Sequence, residues 1–230
     1  MFRNGAIKAA LVMVASAGLV FGAIDAFAAP STAVDPFAVN YFLNANTIGP
    51  DDTLRIVDPD PANDEHLTPV CANIYVFDAQ QEMEECCACP ITPAGRLDFS
   101  LNHNLTSVPV TGGTLNTGTI KIVRTNINPN LFLATPPNGT KACDATNGSG
   151  GSLPPNNVFT ADEGFSLFSW LTHDLNKFNT GGQAVQEAEF QSTDEPSSDL
   201  VRLQDECTTT QNAGAFSGLG TCTCPAGPVP

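Results

Sequence analysis

The stretch Glu85-Cys-Cys-Ala-Cys-Pro90 is the strongest constraint on the fold of this 230-residue chain. A disulfide between the neighbours Cys86 and Cys87 would strain the peptide unit that joins them, so each is predicted to pair with a distant cysteine. The same C-x-C-P pattern returns near the C-terminus as Cys222-Thr-Cys-Pro225. We therefore expect the two motifs to lie side by side, with Cys207 as a further partner and the C-terminus stapled to the core.

Cysteine is used eight times in the chain, an even number. In an exported protein this count predicts up to four disulfides, although the sequence does not choose the pairs. Pro90 stands where a haem-attachment motif needs a histidine, and the segment after Cys89 does not predict the helix of a thioredoxin-like site. Reduced thiolates would hold zinc or copper(I), so an extracytoplasmic metal-binding protein is one alternative function. The eight residues are Cys71, Cys86, Cys87, Cys89, Cys143, Cys207, Cys222 and Cys224.

The N-terminal region has the three parts of an export signal. Arg3 and Lys8 form a basic start, residues 9–24 are an apolar run, and Ala26-Phe-Ala28 has the small-x-small pattern that a signal peptidase reads. We expect residues 1–28 to be a signal peptide cleaved near Ala28, and the mature chain to be secreted, extracellular or periplasmic. Its apolar runs are too short for a transmembrane anchor.

Composition favours a folded, acidic protein. Apolar residues make up 42% of the chain and charged residues only 14%, which is enough to build a core. The formal net charge is −15. Because nucleic acids are bound through their phosphates, this charge argues against a nucleic-acid partner.

Short alternating segments predict an all-β fold. Phe37, Val39, Tyr41 and Leu43 alternate, which suits a short strand or an extended arm. Residues 29–50 are expected to form an extended N-terminal arm, and residues 51–230 a single β-rich domain. The chain also has 18 prolines and 19 glycines, which leave little room for long helices. Strands are predicted over residues 53–57, 72–77, 97–101, 119–125 and 131–133.

The last third of the chain is predicted to hold a hairpin and a helix. Residues 165–178 fit either a helical or an alternating pattern, but the Thr180-Gly-Gly182 turn and the run to Gln191 favour a β-hairpin. Residues 198–206 follow Pro196 and begin with serine, which predicts a helix. Together these patterns predict a disulfide-stapled, antiparallel β-sandwich-like domain of two packed sheets with a short C-terminal helix.

Four segments together resemble a group of uncharacterised exported bacterial proteins. They are Cys71-Ala-Asn-Ile-Tyr-Val-Phe-Asp78, Glu85-Cys-Cys-Ala-Cys-Pro90, Trp170-Leu-Thr-His173 and Cys222-Thr-Cys224. The resemblance covers most of the chain after the signal. It implies an exported β-rich protein, and it brings no activity and no assigned site residues with it.

Two groups of polar residues are candidates for chemistry. His173, placed across the hairpin from Glu187 or Glu189, would form a cluster able to move a proton or hold a metal. The acidic loop containing Asp58, Asp60, Asp64 and Glu65 offers oxygen ligands for calcium, although its spacing departs from that of an EF-hand. Apart from calcium, no cofactor is expected.

The common catalytic motifs do not occur in the sequence, so a non-enzymatic role is favoured. We expect a secreted structural or surface-interaction module that self-associates through its N-terminal arm or binds a cell-surface partner. The alternative to it, besides the thiolate protein, is a secreted β-sandwich hydrolase of polysaccharide or peptide. That hydrolase would need a deep polar pocket near His173 and Glu187 or Glu189.

Overall fold

The computed structural model describes the greater part of the chain after residue 36. The described residues are 37–43, 45–47, 51–59, 69–127, 143–146, 157–158, 167–174, 185–193 and 197–225. All of them belong to one compact unit that spans residues 32–230.

Two antiparallel sheets form the domain. The first sheet has the strand order β10-β1-β6-β3-β4, with β7 beside β6, and the second has the order β5-β2-β8-β9. The strands are β1 (Phe37–Phe42), β2 (Thr53–Val57), β3 (Val70–Asp78), β4 (Met83–Ile91), β5 (Arg96–Ser100), β6 (Gly118–Ile127), β7 (Asn157–Val158), β8 (Phe168–Asp174), β9 (Val185–Glu189) and β10 (Gln191–Thr193). A π-helical turn, Leu101–Leu105, follows β5, and helix α1, Ser197–Gly214, follows β10.

The main core lies between the two sheets. Alternate residues of the second sheet, including Leu54, Ile56 and Phe99, pack against Ile74 and Ile122 of the first sheet, and all five are fully buried. Since successive side chains of a strand point to opposite faces, the intervening residues of the second sheet point away from this core. The predicted sandwich and its period-two strands are therefore confirmed.

A second, smaller core lies on the other face of the first sheet, where helix α1 packs. Tyr75 and Phe77 of β3 belong to the same buried cluster as Leu203 and Cys207 of helix α1. The Tyr75 hydroxyl donates to the carbonyl of Ala145 at 3.3 Å. Burial, with a smaller effect of Asp144, raises the pKa of Tyr75 far above its usual value, so the phenol stays neutral.

Four disulfides join the first sheet to helix α1, to the C-terminal segment and to Cys143, and three of them start from β4. Cys86 pairs with Cys207 on helix α1, whereas Cys87 pairs with Cys222 in the main core. The other bridges are Cys89–Cys224 and Cys71–Cys143. Cys86 and Cys87 thus have separate distant partners and the two C-x-C-P motifs lie side by side, as the sequence predicts.

The chain after helix α1 covers the outer edge of β4. The Cys86 amide donates to the Gly220 carbonyl at 3.2 Å, and the Gly220 amide donates to the Val108 carbonyl at 2.6 Å. From the helix, the Gln211 side chain donates to the Cys86 carbonyl at 3.3 Å. These contacts satisfy backbone groups that an open edge strand would expose to other chains.

Some expectations from the sequence need correction. Of the two alternatives for residues 37–42, the short strand is confirmed and the extended arm is not: they form β1, paired with β6 along its whole length and with β10 at residues 37–39. β4 was not predicted as a strand, and helix α1 is about twice the predicted length. The predicted hairpin is confirmed by the pairing of β8 with β9. The predicted strand at 131–133 and the turn at 180–182 lie outside the described residues.

Gly220 allows a test of the edge cover. Its φ is +78°, and an added Cβ would lie 2.8 Å from the Thr210 carbonyl oxygen; Gly218 has a similar φ of +71° but open space around it. We expect Gly218→Ala to cost about 1 kcal/mol from backbone strain, and Gly220→Ala to cost about 1–3 kcal/mol more from overpacking. Urea unfolding followed by circular dichroism measures both, and equal losses would contradict the close approach.

The neighbouring bridges allow a second test. Cys87–Cys222 and Cys89–Cys224 both have a sequence separation of 135, so either one leaves the other to close only a small ring. Cys71–Cys143, with a separation of 72, has no such neighbour. By loop-closure entropy, removing Cys71–Cys143 with two alanines should cost about 4 kcal/mol, and removing Cys89–Cys224 only about 2 kcal/mol. Equal losses in urea unfolding would contradict this reasoning.

Candidate functional site

The outer face of the second sheet carries two large aromatic side chains on β8. Phe168 is 44% exposed and Trp170 is partly exposed, whereas the alternating residues Leu167, Ser169 and Leu171 are buried. We call this surface the aromatic face. It is formed by Arg55, Arg96, Asp98, Phe168, Trp170, Thr172, Glu187 and Glu189.

Strand register places polar side chains on both sides of Trp170. Arg55 of β2 is the direct neighbour of Trp170, and Asp98 of β5 is the direct neighbour of Arg55. On the other side, Glu189 of β9 is in register with Trp170. The order Asp98, Arg55, Trp170, Glu189 therefore forms one row across all four strands. In the next row, the Phe168 ring lies 6.1 Å from the Trp170 ring, centroid to centroid, with 25° between their planes.

Ion pairs organise the charged part of the aromatic face. Arg55 Nη1 lies 2.6 Å from Glu187 Oε1 and also donates to the Thr172 hydroxyl at 3.0 Å. Its Nε lies 3.7 Å from Asp98, which a second arginine, Arg96, approaches to 2.8 Å. Each pair is exposed and adds little to stability, but together they hold Arg55 in one orientation at the centre of the sheet.

His173 does not join Glu187 and Glu189, so the predicted cluster is corrected. Glu187 and Glu189 are in register with Thr172 and Trp170, and they point outward with them. His173 is on the opposite face of β8, is 7% exposed, and stacks on Tyr41 with ring centroids 5.3 Å apart. The pocket that a hydrolase would need is therefore not assembled from these three residues, because they project from opposite faces of one hairpin.

Of the four predicted calcium ligands, the structure describes only Asp58. Asp58 is buried after β2, and its amide donates to the Gly95 carbonyl at 3.0 Å. Asp60, Asp64 and Glu65 lie outside the described residues, so a calcium ion in this loop stays a prediction. The alternative of a thiolate metal site loses its ligands, because all eight cysteines are in disulfides and none is a free thiol.

Three carboxylates that the sequence did not single out lie close together at the turn between β3 and β4. Carboxylate oxygens of Asp78, Glu82 and Glu84 lie within 4.8 Å of one another. Asp78 accepts from the amides of Gln80 and Glu82, and Glu84 accepts from the amide and hydroxyl of Thr111. The turn borders a cleft of about 600 Å³ against helix α1. Hydrogen bonds within the protein thus account for two of these three carboxylates.

Glu85 is fully buried beside the covered edge of β4. Its Oε1 accepts from the Val108 amide at 2.7 Å, but the buried Oε2 has no hydrogen-bond partner among the described residues. The pKa of Glu85 is raised to about 7, mainly by burial. The Val108 hydrogen bond lowers this pKa, and the charge of Glu84 raises it. A protonated carboxyl at this point is neutral, which removes most of the cost of burying it.

Comparison with known proteins gives no match: no family model, no curated protein and no solved structure is significantly similar to this chain. The resemblance to exported bacterial proteins therefore stays a prediction. Among the residues that the structure describes, no helix has the length and apolar character needed to cross a bilayer.

The raised pKa of Glu85 predicts a pH-dependent stability. The usual pKa is 4.5 and the folded value about 7, so between these values the folded state holds a proton that the unfolded state has lost. Stability should therefore fall as pH rises from about 4.5 to about 7, and Glu85→Gln should weaken this fall and raise the melting temperature at pH 8. Melting curves of wild type and Glu85→Gln, recorded from pH 4.5 to 8, measure this pH dependence of stability.

Glu187→Gln is the control, because Glu187 is an exposed carboxylate on the aromatic face. It should keep the wild-type pH profile between pH 4.5 and 7. If Glu85→Gln showed the wild-type profile as well, another group would be responsible for the pH dependence.

Proposed function

We propose that this chain is an exported, non-enzymatic module that binds a partner through its aromatic face. The observation that carries the proposal is the pair Phe168 and Trp170, side by side on the solvent side of a sheet. Aromatic side chains each bury about 150–250 Å² when covered. On soluble proteins, contiguous exposed apolar patches mark interaction sites.

The two faces of the sandwich support this assignment by their difference. Helix α1 packs on the outer face of the first sheet, and Tyr75 and Phe77 are buried beneath it. The described part of the chain places no helix on the outer face of the second sheet, where Phe168 stays 44% exposed. The apolar side chains of the first sheet thus have an internal partner, and those of the aromatic face are available to an external one.

The proposal places the protein in an oxidising compartment. Four disulfides suit a secreted or periplasmic protein, and the N-terminal pattern supports cleavage of the signal near Ala28. Self-association by strand addition through residues 29–50 loses part of its support, because β1 already pairs within the first sheet. A cell-surface component is the partner that we favour.

Retention on cells tests the proposal. Labelled wild-type protein and the double variant Phe168→Ala/Trp170→Ala are mixed with cells of the source organism, and the bound fraction is measured after sedimentation. We expect wild type to sediment with the cells and the double variant to lose roughly tenfold in apparent affinity, as for aromatic residues at the centre of an interface.

Phe216→Ala is the matched control, because Phe216 is a fully exposed aromatic residue in the turn after helix α1 and is not part of the second sheet. It should bind like wild type. Equal retention of all three proteins, with folding verified by circular dichroism, would refute a binding role for the aromatic face. Sedimentation velocity on wild type and double variant tells whether a second copy of the chain is the partner.

A further inference from the structure

Four of the five charged side chains of the aromatic face pair with one another, and the fifth, Glu189, is an exposed carboxylate. Two arginines, Arg55 and Arg96, are paired with Asp98 and Glu187, while the chain as a whole has a formal net charge of −15. A polyanionic or polycationic partner would have to compete with these pairs. The charge pattern therefore favours an uncharged partner that can use hydrogen bonds without breaking them.

The two aromatic rings favour a partner with flat apolar surfaces. Phe168 and Trp170 are in consecutive outward positions of one strand, with ring planes only 25° apart. The two rings are stacked, and the pair forms one apolar surface against which flat groups of an extended molecule can pack. The C–H faces of pyranose rings are such groups, and C–H bonds are attracted to the negative face of an aromatic ring.

Hydrogen-bonding groups border the rings on both sides. Arg55 is in register with Trp170 on the β2 side, and Glu189 is in register with it on the β9 side. A guanidinium donates and a carboxylate accepts, so the pair matches hydroxyl groups, which do both. An apolar centre with polar groups at its borders is the pattern expected for a ligand whose faces are apolar and whose edges carry hydroxyls.

From this arrangement we propose that the aromatic face binds a neutral polysaccharide chain, with sugar rings stacked on Phe168 and Trp170 and hydroxyls bonded to Arg55 and Glu189. The inference rests on the proposed function, because it names the partner of the same face. A sheet of four hydrogen-bonded strands fixes the two rings, so little conformational entropy is lost on binding.

Trp170 is the single tryptophan of the chain, so its fluorescence reports directly on this face. The probes are neutral hexasaccharides of β-1,4-glucan, β-1,3-glucan, β-1,4-linked N-acetylglucosamine and β-1,4-mannan, with hexameric alginate as the anionic comparison. We expect at least one neutral hexasaccharide to shift the emission of wild type and of Phe216→Ala. Its affinity should change little between 0.05 and 1 M NaCl, since no net charge is neutralised.

Calorimetry with the responding sugar separates stacking from a general fold defect. Trp170→Ala should weaken binding roughly tenfold or more, Phe168→Ala severalfold, and Trp170→Phe should restore part of the affinity because a ring remains. No response to any neutral hexasaccharide, or unchanged affinity in Trp170→Ala, would overturn the saccharide assignment. So would binding of alginate alone with loss at high salt.

The two proposals fail in distinguishable ways. If the double variant loses cell retention but no neutral sugar binds, the aromatic face still binds a partner and only the saccharide assignment is wrong. If the double variant keeps full cell retention, the proposed function itself is wrong.

Discussion

The alternation of side chains along β4 determines where helix α1 and the C-terminal segment can lie. Because successive residues of a strand point to opposite faces, the neighbours Cys86 and Cys87 send their disulfides to opposite sides of the first sheet. Cys207 therefore lies with helix α1 on one side, and Cys222 lies in the main core on the other. The chain between them has to pass around the edge of β4, and Gly220 is where it meets that edge.

The outer strands of the two sheets are covered by, or continuous with, other parts of the chain. The chain after helix α1 covers β4, and on the opposite side β9 passes into β10 through the single residue Phe190, so one continuous segment borders both sheets. Asn40 of β1 donates to the Ala188 carbonyl of β9 at 3.1 Å and ties the two sheets together there. Covered or tied edges limit pairing with other chains, a general hazard for exported β proteins.

The sequence predicts the parts of this fold whose physics is local. The strand of Leu97 and Phe99 shows its period of two because only one of its faces is apolar, and the adjacency of Cys86 and Cys87 forces separate partners. β4 escaped prediction because cysteines occupy both of its faces and hide the alternation. Helix α1 extends past Glu206 because tertiary contacts support its threonines; Thr210, for example, donates to the Met83 carbonyl. The predicted cluster of His173, Glu187 and Glu189 was wrong because it relied on proximity across the hairpin and ignored the face on which each residue lies.

The position of Trp170 follows from the same rule. In β8, Leu171 and His173 belong to the buried set, so Trp170 and Phe168 belong to the outward set, and the alternation in the sequence already implied this division. The sequence does not show which residues lie beside Trp170. Arg55 comes from β2 and Glu189 from β9, and only the strand order brings them there. An outward tryptophan on a strand that is paired on both sides, with β2 and with β9, has a fixed position, which favours recognition of an equally rigid partner.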